Sequence, residues 1–200
     1  MKNSIKVLIA AMVICVQGTR LQAQTTNKTT GIYITEQDFK TGKLSYTLGA
    51  GDKLLLNDFL NGKNVTIISH GQKTRLAKSQ MYGYSQNGQS YRFYQGEVYR
   101  VLDTTGFTLY SHNQLAQQGK GLKQVESYFY SIDAATPVFN LTIDNIDKSF
   151  AAQTDFKYSV NSFFQQGGNL MTYDKVNRQY QIKYLYMEYK HAAAPQHAAL

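Results

Sequence analysis

Tyr82-Gly83-Tyr84-Ser85-Gln86-Asn87-Gly88-Gln89-Ser90-Tyr91-Arg92-Phe93-Tyr94 decides the fold class. Asn87-Gly88 lies at its centre, and both residues tolerate the positive φ that a two-residue hairpin turn requires. Large and polar side chains alternate on either side of the turn, as in strands with one buried face. The turn also sets a register, with Tyr84 opposite Tyr91 and Tyr82 opposite Phe93. In that register the four aromatics share one face, and Ser85, Ser90 and Arg92 share the other.

The β signal continues in both directions. Gln95-Gly96 is a second turn and Asp103-Thr104-Thr105-Gly106 a type I turn closing on glycine. Together they predict strands 82–86, 89–94, 97–102 and 107–111. A further strand, Val125–Ile132, follows a Gly/Lys/Gln loop at Gln117–Gln124. Upstream, Thr25–Thr30 is a polar lead-in, Ile32-Tyr33-Ile34 a short strand, and Thr35-Glu36-Gln37-Asp38 a helix start with Thr35 as cap. Residues 44–48, 53–59, 65–69 and 72–77 are further strands, the last pair turning at His70-Gly71.

After Pro137 the pattern becomes helical. Thr142 caps a helix to about Phe150, and Thr154 or Asp155 starts another to about Phe164. Gly167-Gly168 ends it and Asn169 caps a third. In this third helix Leu170, Tyr173, Val176, Tyr180, Tyr184 and Met187 form one apolar stripe. The fold class is therefore α+β: an antiparallel β-meander or partly open barrel followed by about three C-terminal helices. One domain spans 31–190, mostly β over 31–136 and mostly α over 137–190, with 191–200 as a disordered Ala-rich tail.

The N-terminus reads as a cleaved secretory signal peptide over residues 1–23. It has a basic start at Lys2 and Lys6, an apolar run from Val7 to Val16, and a small residue, Ala23, at the cut. The run is too short to span a bilayer, and no later segment approaches that length. Lipidation at Cys15 would need a small preceding residue, and Ile14 is not small. Cleavage takes with it three of the 21 Lys+Arg, none of the 13 Asp+Glu and the only cysteine, leaving a charge of +5. The expected mature chain thus has no disulfide, no cysteine nucleophile and no thiolate metal site. Its mild basicity comes without a local Lys/Arg run, so nucleic acid is not an expected partner.

Motifs for familiar chemistry are absent from the sequence. His70, His112, His191 and His197 form no His-Glu-x-x-His arrangement. There is no Gly-x-Ser-x-Gly elbow, and Gly119-Lys120-Gly121 lacks the spacing of a phosphate-binding loop. Asp144, Asn145 and Asp147 lack EF-hand spacing and read as acids at a helix start. No catalytic residue, metal or cofactor is expected.

The compositional excess is tyrosine, 16 residues with no tryptophan. Tyrosine combines a flat apolar face with a polar tip, which suits stacking on sugars or planar ligands. Arg92, Tyr94, Tyr99 and Arg100 are the candidate binding residues, read as a partly exposed Tyr/Arg patch.

Gly31-Ile32-Tyr33, Asp38-Phe39, Tyr82-Gly83-Tyr84, Tyr91-Arg92-Phe93-Tyr94, Leu141-Thr142 and Phe150 are similar to a set of uncharacterised secreted proteins of Bacteroidota-type bacteria, over roughly residues 31–190. The resemblance implies an envelope or secreted location and transfers no catalytic residue. The leading expectation is a non-enzymatic periplasmic or cell-surface protein that binds an envelope or extracellular partner. An envelope-acting hydrolase would need clustered carboxylates or a His–carboxylate pair in one cleft, with Asp38, Asp133, His70 and His112 as the groups to test. A carrier of a small apolar ligand would use a barrel interior.

Overall fold

The computed structural model describes residues 29–56, 62–165 and 168–193. The signal-peptide reading, most of the lead-in and the tail beyond Ala193 lie outside them.

The chain opens with β1 (Thr30–Tyr33), α1 (Glu36–Thr41) and β2 (Tyr46–Leu48). Then come β3 (Lys53–Leu55), β4 (Asn64–Ser69), β5 (Gln72–Ala77) and a 3₁₀ turn at Lys78–Gln80. The meander is β6 (Gly83–Gln86), β7 (Gln89–Tyr94), β8 (Glu97–Asp103), β9 (Thr108–Gln118) and β10 (Gly121–Ser131). The C-terminal part holds β11 (Phe139–Asn140), α2 (Ile143–Ser149), α3 (Thr154–Phe164), β12 (Tyr173–Asp174), β13 (Gln179–Tyr180) and α4 (Gln181–Ala193). The result is an open eight-stranded antiparallel sheet in the order β11-β10-β9-β8-β7-β6-β1-β2, with β3-β4-β5 as a separate sheet and three helices near the C-terminus.

The hairpin signals are realised locally. Asn87 and Gly88 have φ of 53° and 81°. Tyr84 pairs with Tyr91, and their rings stack at 4.6 Å with planes 6° apart. Phe93 joins them on the same face, its ring 5.4 Å from Tyr84. Tyr82 departs from the expected face. Its backbone N–H donates to both the Tyr33 and Ile34 carbonyls, so the strand start is irregular, and its ring turns to meet Phe39 and Arg92. The start of α1 follows its capping box: Asp38 N–H donates to Thr35 Oγ1 at 3.1 Å and Thr35 N–H to Asp38 Oδ2 at 3.1 Å.

Two sequence readings fail for local reasons. The expected loop at Gln117–Gln124 is mostly strand, because β9 and β10 run on to a tight turn with Gly119 at φ 64°. The expected third helix from Asn169 begins only at Gln181. Asp174 Oδ1 accepts from Val176 and Asn177 N–H at 2.7 and 3.0 Å, and Arg178 takes φ 53°. These bonds offer the backbone a turn in place of a helix, and the β12–β13 hairpin results. Val176, placed on the expected apolar stripe, is 90% exposed at that turn. At the other end α4 runs through His191 to Ala193, into what reads as tail.

Both faces of the sheet carry a core. On the face of Tyr84 and Phe93, one end packs against β4 and β3 through Ile32, Val65, Ile67 and Leu54. The other end, through Leu109 and Tyr130, packs on Phe107, Ile146, Phe150, Phe156, Val160 and Ile182. Each such side chain contributes roughly 1.5–3 kcal/mol on burial. Tyr130 also ties strand to helix: its hydroxyl reaches the Asn145 carbonyl at 2.6 Å and Ser149 Oγ at 2.7 Å. The opposite face carries Tyr99, Val101 and Tyr110 under Phe39, Phe129 and Val138.

The β8–β9 turn is gripped by α4. Lys183, fully buried, donates to the carbonyls of Phe107 and Thr105, lies 3.9 Å from the Phe107 ring centre and 3.8 Å from Asp103 Oδ1. Burial pushes its ammonium down to about 7, against the pull of the Asp103 carboxylate. Beside it, Gly106 has φ +74°, and a Cβ there would lie 2.6 Å from the Tyr186 ring.

Gly106→Ala should therefore cost about 1–3 kcal/mol and lower Tm by several degrees, from both the strained φ and the clash with Tyr186. An unchanged Tm would mean that α4 does not press on this turn. The lysine gives a pH test. Unfolded, Lys183 keeps its proton to about pH 10.4, whereas folded it releases it near pH 7. Between these values the unfolded chain binds the extra proton, so stability rises with pH, by at most about 1.4 kcal/mol per unit. Tyr99, Tyr130 and Tyr186 are raised by burial, so stability falls again above about pH 10. Urea titrations from pH 6 to 10 should show this rise, and Lys183→Met should flatten it. A flat parental profile between pH 7 and 9 would contradict the assignment.

Candidate functional site

The four residues expected to form one patch are divided between the two faces of the sheet. Cross-strand pairing sets Arg92 opposite Tyr99 and Tyr91 opposite Arg100. Arg92, Tyr94 and Tyr99 therefore share a face, and Arg100 lies on the other.

Arg92 is 4% exposed. Its guanidinium lies 5.1, 5.4 and 5.9 Å from the ring centres of Tyr82, Tyr94 and Tyr110. Nη1 donates to Tyr110 Oη at 3.1 Å and Nη2 to the Thr136 carbonyl at 2.8 Å. Tyr110 Oη is 2.9 Å from Ser131 Oγ, and Tyr82 Oη donates to the Ala134 carbonyl. The cation thus holds the 132–138 segment onto the sheet with rings and carbonyls in place of a carboxylate. Tyr99 is also buried, between Tyr94, Tyr110, His112 and Phe129. These three residues of the expected patch lie in or against the core of this face, and no pattern in the sequence signals the loop that covers it.

The other half opens into a trough. Its floor follows from register: Tyr84 pairs with Tyr91, Tyr91 with Arg100 and Arg100 with Ser111, so these residues form a row across four strands on one face. Tyr84 at one end belongs to the core under β3–β5 and Ser111 at the other is buried, and the cleft over the row has a volume of about 700 Å³. Gln89, Val98, Asn113, Gln124 and Glu126 complete the lining used below. Gln89 is fixed by donating to the Val101 carbonyl at 2.6 Å and offers Oε1 to Arg100 Nε at 3.4 Å. Tyr180, from the β12–β13 hairpin, feels the charges of Asp103, Arg100 and Glu126, and burial with Asp103 raises its hydroxyl above the ordinary tyrosine value. Tyr91, placed opposite Tyr84 by the sequence, was not among the expected binding residues, nor were Gln89, Asn113 and Gln124; the strand registers could have placed Tyr91 and Arg100 together.

Of the groups to test for a hydrolase, Asp38, Asp133 and His70 occupy separate local roles, whereas His112 lines the cleft beside Glu97. Asp38 caps α1, and bonds from Ser45 and Thr35 lower its carboxyl below the usual range. Asp133 accepts from the N–H groups of Ala135 and Thr136. His70 takes φ 52° in the β4–β5 turn, with its N–H donating to Asp52. His112 Nδ1 is 2.9 Å from the Val98 carbonyl and Nε2 3.6 Å from Glu97. Asp147, weighed for calcium, accepts from Asn161 Nδ2 at 2.9 and 3.2 Å and links α2 to α3. Among the described residues no group of three His, Cys, Asp or Glu gathers as metal ligands, and no helix is long and apolar enough to cross a membrane.

The chain matches no known family model, no curated protein and no solved structure.

Arg92→Ala should lower the unfolding free energy by about 2–4 kcal/mol, because it frees the loop and leaves buried acceptors unpaired. Amide exchange across 132–138 should accelerate. Parental stability and exchange would show that the cation does not hold the loop.

Proposed function

We propose that this chain is an exported, non-enzymatic binding protein whose trough takes a polar, hydroxyl-rich ligand, a saccharide of the cell envelope or surroundings. The observation that carries the reading is the row Tyr91–Arg100–Ser111 with its flanking amides. A sugar ring presents an apolar face and a rim of hydroxyls. Tyr91, backed by stacked Tyr84, offers the complementary flat surface. Gln89, Asn113 and Gln124 offer donors and acceptors at the rim, and Arg100 and Glu126 add a charged donor and a charged acceptor. The polar lining favours this reading over an apolar carrier. Export is supported by Lys2, Lys6, the Val7–Val16 run and Ala23, and nucleic acid is not among the proposed partners.

The test uses protein recovered from an exporting host, whose N-terminus should be Gln24. Labelled protein is applied to a glycan array, and the best ligand is titrated by calorimetry. Tyr91→Ala and Arg100→Ala should each weaken binding by about tenfold or more with far-UV circular dichroism unchanged; Tyr91→Ala also lowers Tm, because it removes the stack on Tyr84. An array without binding, or affinities untouched by both variants, would refute the saccharide trough; an uncleaved N-terminus would refute the export.

A further inference from the structure

The three-stranded sheet turns one face to the core and the other outward. Register places Leu54, Ile67 and the exposed Thr74 in one row and Val65 with Leu76 in the next, and Leu54, Ile67, Val65 and Leu76 pack inward. The intervening rows are Lys53–Ile68–Lys73 and Leu55–Thr66–Arg75. Lys53, Lys73 and Arg75 are exposed, Leu55 is 43% exposed and Ile68 half-buried. Adjacent strands are about 4.8 Å apart and alternate residues about 7 Å apart along a strand, so the Cα positions of the three cations fall within roughly 12 Å of one another. They come from positions 53, 73 and 75, so only the fold gathers them. No acid stands on these rows, and among the described residues none of the three cations makes an ion pair. The carboxylate of Asp52, at the start of β3, is taken by the N–H groups of Gly49 and His70.

We propose that this face, distinct from the trough, docks the protein on an anionic phospholipid surface. Charge complementarity selects an anionic partner: three cations on one plane, none of them ion-paired among the described residues, each gain from a negatively charged leaflet. Leu55 and Ile68 between them select the bilayer over a soluble polyanion, because a flat interface can cover apolar side chains while the cations meet headgroup phosphates. Lysines on edge strands also discourage strand-to-strand association, but that role needs no exposed leucine among them.

The test is sedimentation with vesicles of equal parts phosphatidylglycerol and phosphatidylethanolamine, against phosphatidylcholine vesicles. The protein is the full chain as isolated, compared with a Lys53→Gln, Lys73→Gln, Arg75→Gln variant that keeps the same N-terminal segment. The parent should bind the anionic vesicles, weaken with added salt and ignore phosphatidylcholine. The triple variant should lose about a hundredfold in affinity with its far-UV circular dichroism unchanged. Should it fail to fold, Leu55→Ser and the salt titration of the parent carry the test, the first reducing binding and the second abolishing it. Equal binding by parent and variants, salt-insensitive binding, or binding of heparin without binding of vesicles would overturn the proposal. None of these outcomes depends on whether the trough binds a saccharide.

Discussion

An open sheet of eight strands has two faces to keep from water, and this chain has few elements to do it with. The arrangement follows from that constraint. One face is covered in two places, by β3–β5 at one end and by the helices at the other. The uncovered strip between them is where the side chains become tyrosine, serine, glutamine and arginine. Among the described residues the opposite face has only the six-residue α1 and the 132–138 segment to cover it. An irregular loop is a poor cover unless its carbonyls find donors, and the Arg92 guanidinium together with the Tyr82 hydroxyl supplies them.

Two buried cations illustrate the same rule at opposite ends of the fold. Among the described residues Arg92 has no carboxylate partner, and Lys183 has a single one, Asp103, at 3.8 Å. Each meets aromatic faces and main-chain carbonyls. Carbonyl dipoles and ring quadrupoles repay only part of the cost of desolvating a charge. The two cations differ in how they adjust. Arginine cannot shed its proton, so its site must supply partners at all pH values. Lysine can, and at Lys183 burial lowers the value accordingly. Both act as clamps on segments lacking regular structure, Arg92 on the loop after β10 and Lys183 on the turn before β9.

How much of this could be read from the chain depends on the range of the interaction concerned. Asn87-Gly88, the Thr35/Asp38 capping box and Thr142, which accepts from Asn145 N–H, are fixed by neighbours within a few residues, and the reading placed them correctly. The third helix was misplaced because a periodic stripe of Leu170, Tyr173, Val176 and Tyr180 outweighed a single Asp174 that captures two backbone N–H groups. The strands around Gly119 were missed because Gln114, Gln117 and Gln124 carry no apolar alternation. Tyr82 left its expected face through a bifurcated bond to Tyr33 and Ile34, some fifty residues away, which no local pattern encodes. Of the four expected binding residues, Arg92, Tyr94 and Tyr99 were assigned to the surface because the loop that covers them arrives from residues 132–138.

Composition misled about charge for a related reason. A net +8 without a basic run reads as diffuse, and each lysine in isolation is unremarkable. Strand pairing then brings residue 53 level with 73, and alternation brings 75 onto the same face. The β4 strand between them contributes Ile68 and Thr66 and no acid, so the charge there is undiluted. Meanwhile Arg92 and Lys183 are withdrawn into the interior, where no outside partner can touch them. Net charge is therefore a weak guide to what a chain presents. The fold sorts cations into those that hold segments together and those left facing outward, and the second group alone is available to a partner.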